Sequence, residues 1–154
     1  MLRKRLLFVV LLALILATAS VAAARPQNWR AHLSGAEENP PVETDATGQA
    51  IFQLRGDSMS FKLIVANIDN VVAAHIHCGV VGVNGPVGVT LFSGPPDSVN
   101  GILSQGAFDA PDDGNACGWA DLAALTAAMD SGDAYVNVHT NPGTPSGEIR
   151  GQIR

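Results

Sequence analysis

The chain has very little with which to do chemistry. Among its 154 residues are two cysteines and four histidines. No G-x-S-x-G turn raises a nucleophilic serine, and no glycine-rich loop leads from a strand into a helix to cradle phosphate. GVVGVNGPVG (79–88) is rich in glycine, but it leaves one strand and enters another, so it reads as a turn-rich connection. These absences set aside the common hydrolase and nucleotide sites. Basic residues are also scarce. Three of them lie at 3–5, and beyond residue 24 six Lys and Arg face fourteen Asp and Glu, a net charge of −8. Such a surface repels nucleic acid and anionic membranes. No like-charge run in that part exceeds two residues, and neither low-complexity tracts nor internal repeats occur.

What is present begins with an address. Arg3, Lys4 and Arg5 precede the twelve apolar residues LLFVVLLALILA (6–17), and Ala22-Ala23-Ala24 offers a small-residue cleavage signal. This is the order of a secretory signal peptide; the run reaches the roughly 20 residues a spanning helix needs only by absorbing Thr18 and Ser20, the one route to an uncleaved anchor. No cysteine follows it, which argues against a lipid-modified N-terminus. The expectation is a signal over 1–24 and one domain over 25–154. The protein is then exported, either secreted or periplasmic, with no stable membrane insertion after cleavage.

The remainder reads as all-β with one short helix. Apolar or alternating runs occur at 28–35, 48–54, 58–68, 71–78, 87–92, 101–108, 133–140 and 147–153, separated by Gly, Pro, Asn or Asp. Eight short strands in this length predict an antiparallel sandwich or barrel. WADLAALTAAMDSG (119–132) departs from that pattern. Trp119, Leu122, Leu125 and Met129 recur at helical spacing, and Gly132 supplies a stop.

Strand parity then locates the few reactive groups. His75 and His77 share one face of their strand, opposite Ala74, Ile76 and Cys78. In YVNVHT (135–140), Tyr135, Asn137 and His139 oppose Val136 and Val138. In the last run, Glu148, Arg150 and Gln152 oppose Ile149 and Ile153. If NPGTPS (141–146) closes a hairpin, His139 lies opposite Glu148 and Asn137 opposite Arg150, about 5 Å apart. His75, His77 and His139 are therefore candidate metal ligands, with Glu148 placed to bond the far nitrogen of His139. The same pattern also fits an ordinary solvated sheet face. Arg150 and Glu148 suit an ion pair or a cap on loop carbonyls better than chemistry. Cys78 and Cys117, even in number in an exported chain, read as a disulfide. It would close a loop of about 40 residues, worth on the order of 4 kcal/mol.

Four blocks carry a resemblance: LSGAEENPPVETDATGQAIF (33–52), AAHIHCGVVGVNGPVGVTLF (73–92), CGWADLAAL (117–125) and SGDAYVNVHTNPGTPSGEIRGQI (131–153). Together they resemble the CHRD domain, the repeat of the animal extracellular protein chordin and of many bacterial exported proteins. The resemblance implies an immunoglobulin-like β-barrel related to copper-zinc superoxide dismutases. It matches His75, His77 and His139 to the family's motif histidines and leaves His32 unassigned. It supplies no reaction.

Histidine number weighs against the dismutase chemistry itself, whose paired metals need more imidazoles than four. Three readings remain. The first is a non-catalytic binding module in which His75, His77 and His139 hold copper or, second, zinc, following the Irving–Williams order. Another is an extracellular interaction module without metal, facing a protein or matrix partner. The third is a copper redox enzyme of the superoxide dismutase kind. On balance the residues point away from an enzyme.

Overall fold

One long hairpin organises the molecule. The computed structural model describes residues 27–141 and 147–154; the signal expected over 1–24 lies outside the described residues. The strands are β1 (Gln27–Ser34), β2 (Thr47–Arg55), β3 (Ser58–Cys78), β4 (Val87–Phe108), β5 (Ala134–Thr140) and β6 (Ile149–Gln152), with helix α1 (Leu122–Ser131) between β4 and β5. All pairings are antiparallel. The architecture is the all-β barrel expected, with one short helix.

β3 and β4 each join two of the runs read separately from sequence. β3 pairs with β4 along its length, from Met59↔Phe108 to His77↔Val87. A strand has two edges, so β2 and β5 must share the other one. β2 takes residues 58–66 and β5 takes 71–78. Between those stretches Asn67 and Asn70 adopt φ of 55° and 57°, left-handed values that asparagine tolerates better than most residues. The Asn67 amide is held there by Asn100 Oδ1 at 2.8 Å. Repeated register shifts between β3 and β4 mark the same bend, the usual means by which a strand changes sheets. Pro95 and Pro96 are tolerated because β4 is an outer strand.

Two sheets result. The first contains β1, β2, the start of β3 and the end of β4. The second contains β6, β5, the end of β3 and the start of β4. They close where β6 meets β1, through Ser34↔Arg150 and the reciprocal backbone bonds of Arg30 and Arg154 at 2.7 and 2.9 Å. Alternate residues fill the space between them, including Phe52, Met59, Leu63, Val65, Ile76, Val136, Val138, Ile149 and Ile153. Burial at this scale supplies roughly 1.5–3 kcal/mol per large apolar side chain.

Helix α1 covers one end. Asp121 caps it by accepting from the Ala124 amide at 2.9 Å, and Gly132 ends it at φ 76°. Leu122, Leu125 and Met129 turn inward, while Trp29 donates to Asp130 at 2.8 Å and ties the helix to β1. Among the described residues no helix is long and apolar enough to cross a membrane.

Candidate metal centre

β3 and β5 bring the three histidines together. Ala73 lies opposite His139, His75 opposite Asn137 and His77 opposite Tyr135. His139 is thus diagonal to His75 on the face that also carries His77, as parity requires. Ring centroids are 5.0 Å apart for His75 and His139, 5.5 Å for His75 and His77, and 5.8 Å for His77 and His139. One nitrogen from each ring lies within 4.8 Å of the other two. Nitrogens around one tetrahedral metal sit about 3.4 Å apart, given bonds of 2.0–2.1 Å. Small side-chain rotations close that gap.

The histidine face is partly covered: His77 is buried, and His75 and His139 are half-buried. Loop 79–86 folds over it, and Arg150, only 1 % exposed, holds the loop down. Arg150 donates to Val80 O at 3.1 Å, Val83 O at 3.0 Å and Asn84 Oδ1 at 3.0 Å. Its guanidinium lies 3.5 Å from the centre of the Tyr135 ring. The ring of His77 stacks on the same tyrosine at 4.9 Å and 9°. Because β5 lies between β3 and β6, Tyr135 is sandwiched between the histidine and the arginine. Gln152 adds bonds to the carbonyls of Gly79 and Ala134. The Cys78–Cys117 disulfide, with Cα atoms 5.7 Å apart, pins the start of the loop. Gly85 lies so close to the Cys78 carbonyl that any Cβ there would collide with it.

This cover fixes the state of the imidazoles. His77 Nδ1 lies 2.9 Å from the Gly85 carbonyl and must donate to it, which leaves the lone pair on Nε2. Nε2 of His77 and Nδ1 of His75 are buried without a hydrogen-bond partner. Burial pushes the His77 imidazolium down to about 4, opposed by the Gly85 carbonyl and aided by the charges of His139, His75 and Arg150. His75 is also lowered, by burial and then by His139, against the pull of Asp112. Both rings are neutral near pH 7 and available as ligands.

The remaining predicted groups divide. Asn137 Nδ2 donates to both oxygens of Glu38 at 2.9 and 3.1 Å. Arg150 caps loop carbonyls. Glu148 accepts from Thr44 at 2.8 Å and from Thr140 at 2.7 Å. His32 is exposed on β1, opposite Gln49 of the first sheet. Two groups, Glu38 and Asp112, escaped sequence reasoning. Burial raises the Glu38 carboxyl to about 7, although Arg150 and the Asn39 amide pull the other way. Asp112 accepts from the Thr90 amide and hydroxyl at 2.9 and 2.7 Å, beside His75. Tyr135 lies on the face of Asn137 and His139, as the alternation along 135–140 predicts, and sits opposite His77.

An antiparallel β-barrel with three histidines converging from adjacent strands defines the class of the site. The family model of the CHRD domain matches residues 29–153, and the chain belongs to that family. No curated protein and no solved structure matches it.

Proposed function

We propose that the protein is an exported, non-catalytic binding module whose His75, His77 and His139 hold one first-row metal ion, copper ahead of zinc. One observation carries this reading. Nitrogens from three rings on two neighbouring strands crowd within 4.8 Å, and one nitrogen each of His75 and His77 is buried with no hydrogen-bond partner. A buried acceptor left unsatisfied costs about 1–3 kcal/mol, so retaining two side by side suggests a ligand that uses them. The residues fit the group: neutral imidazoles, and a carbonyl that orients His77 as an outer partner orients a metal ligand. Copper bound there would supply a one-electron centre, and zinc a structural or Lewis-acid one.

The decisive experiment uses protein purified without a histidine tag. Near-stoichiometric copper or zinc should accompany it, or should bind on titration with sub-micromolar affinity. His77→Ala should remove at least 90 % of that affinity, while His32→Ala should change it less than about twofold. Equal loss in both variants, or no binding at all, overturns the reading. The interaction-module alternative has its own support, since Val80, Val81 and Val83 on the covering loop are 49, 57 and 50 % exposed. A partner captured through those valines by metal-free protein would favour it. Dismutation of superoxide by copper-loaded protein would favour the redox alternative.

A further inference from the structure

The outward face of the first sheet carries charge of the sign the rest of the molecule lacks. Five basic residues are described: Arg30, Arg55, Lys62, Arg150 and Arg154. Arg150 is buried in the loop cover; the other four are exposed. Register puts all four on one surface. Arg30 lies opposite Ile51, Ile51 opposite Lys62, and Lys62 opposite Gln105, a single row across β1, β2, β3 and β4. Arg154 pairs with Arg30 on its far side through reciprocal backbone bonds. Arg55 has the parity of Ile51 on β2, and His32 that of Arg30 on β1. The opposite parity of these strands holds Trp29, Ala31, Phe52, Met59 and Leu63, all buried.

No Asp or Glu occupies this face of the four strands. Asp57 lies at the turn into β3, and Glu37 lies with Arg30, His32, Gln152 and Arg154 around a recess of about 260 Å³. Strands are spaced about 4.8 Å apart, so Arg154, Arg30 and Lys62 form a cationic row on the order of 15 Å long. Fourteen carboxylates belong to the same chain, yet the strand positions of this surface hold none.

We infer that this face docks an extracellular acidic polysaccharide, a chain bearing carboxylates or sulfates on successive sugars. Charge complementarity selects a polyanion, and shape selects among polyanions. A linear, flexible chain can lie along one row and meet only the cations. A planar anionic bilayer, or a stiff duplex of high charge density, meets the field of the whole molecule, net −8 beyond residue 24. The face presents no Phe, Trp or Tyr on which bases could stack, and no helix or ribbon that could enter a groove. Ile51 between Arg30 and Lys62, with Ile64 and Ile102 in the neighbouring row, supply the apolar contact that sugar rings accept.

The full chain, purified without a tag, should be titrated with polygalacturonate, dextran sulfate, duplex DNA and phosphatidylglycerol vesicles. Binding to at least one of the two polysaccharides is expected, tighter than to DNA or vesicles. It should weaken by roughly tenfold to a hundredfold between about 50 and 200 mM salt, as three or four released counterions require. Arg30→Gln with Lys62→Gln should lower the affinity by about tenfold or more. Ala123→Glu with Ala127→Glu, on the exposed side of α1, changes net charge equally and should cost less than about threefold. Circular dichroism and Tm confirm the fold of both variants. Equal losses in the two variants would reduce the effect to net charge and overturn the docking face. So would absence of polysaccharide binding, or tighter binding to DNA or to vesicles.

Discussion

The outward faces of the two sheets share one sequence pattern and have opposite fates. Polar residues alternate with buried apolar ones on both. On the first sheet Asn28, Arg30, His32 and Lys62 stand in solvent. On the second, Tyr135, Asn137, Arg150 and Gln152 are buried. The difference is a lid. Loop 79–86, held by Arg150, Gln152 and the disulfide, lies on the second sheet and not the first. Polar groups in water need no arrangement, whereas polar groups under a lid need partners, since an unsatisfied one costs about 1–3 kcal/mol. Most of the covered groups have such partners. Nδ1 of His75, Nε2 of His77 and Oδ1 of Asn137 do not, and all three lie on the face proposed to hold a metal.

Removing Arg150 should break the comparison most. Arg150→Ala strands the carbonyls of Val80 and Val83 and the amide of Asn84, and leaves Glu38 without its nearby cation. Chemical denaturation should show a loss of about 3–5 kcal/mol. Arg30→Ala, on the solvated face of the first sheet, should cost under about 0.5 kcal/mol. Similar losses from the two would mean that the lid is not what separates the faces.

The disulfide comes next. Cys78→Ser with Cys117→Ser opens a loop spanning 39 positions and should cost about 2–4 kcal/mol. The β signature in circular dichroism should persist, because the bridge packs against the core and is not among its fully buried residues. Amide exchange should rise in 79–86 and at His77 while the first sheet stays protected. Uniform deprotection would show that the lid has no stability of its own to lose.

Glu38 gives a pH test of the same cover. Its folded pKa, about 7, exceeds the ordinary 4.5. The stability it contributes is therefore full below about 4.5 and lost as pH rises through 7, because the native state alone keeps the proton in that window. Glu38→Gln removes the effect. Relative to wild type, the variant should gain on the order of 2 kcal/mol between pH 5 and pH 8. The difference between the proteins isolates Glu38 from His77, whose lowered pKa acts in the opposite sense. A constant difference across that range would mean that Glu38 is hydrated.

Much of this was legible in the sequence, for identifiable reasons. Period-two alternation placed His75, His77, Asn137, His139 and Arg150 on one face, since parity depends only on the local backbone. An expectation of export and an even cysteine count pointed to the bridge. The merging of eight runs into six strands was not legible. Asn67 and Asn70 supply left-handed backbone equally well to a turn and to a bend, and only the continuous neighbour β4 decides between them. Trp119 fits the helical spacing, but Asp121 caps the helix, so α1 starts at Leu122 and the indole packs beside Gly88 instead. Glu38 had no signal at all, because its partner Asn137 lies 99 residues away.

The smallest effect tests whether the covered face is kept for binding at the expense of stability. His75→Leu replaces a half-buried ring, whose buried Nδ1 has no partner, with an apolar side chain of similar reach. Replacing an unsatisfied polar atom this way is neutral or stabilising, so the metal-free variant should match wild type or exceed it by up to about 1 kcal/mol. Copper should then reverse the order. Wild type gains RT ln(1 + [L]/Kd), about 2.7 kcal/mol at a hundredfold excess over Kd, while the variant, left with two imidazoles, should gain little. Thermal melts with and without copper read both halves. A variant less stable than wild type without metal would show that His75 is structural, and an equal copper shift in both proteins would remove it from the site.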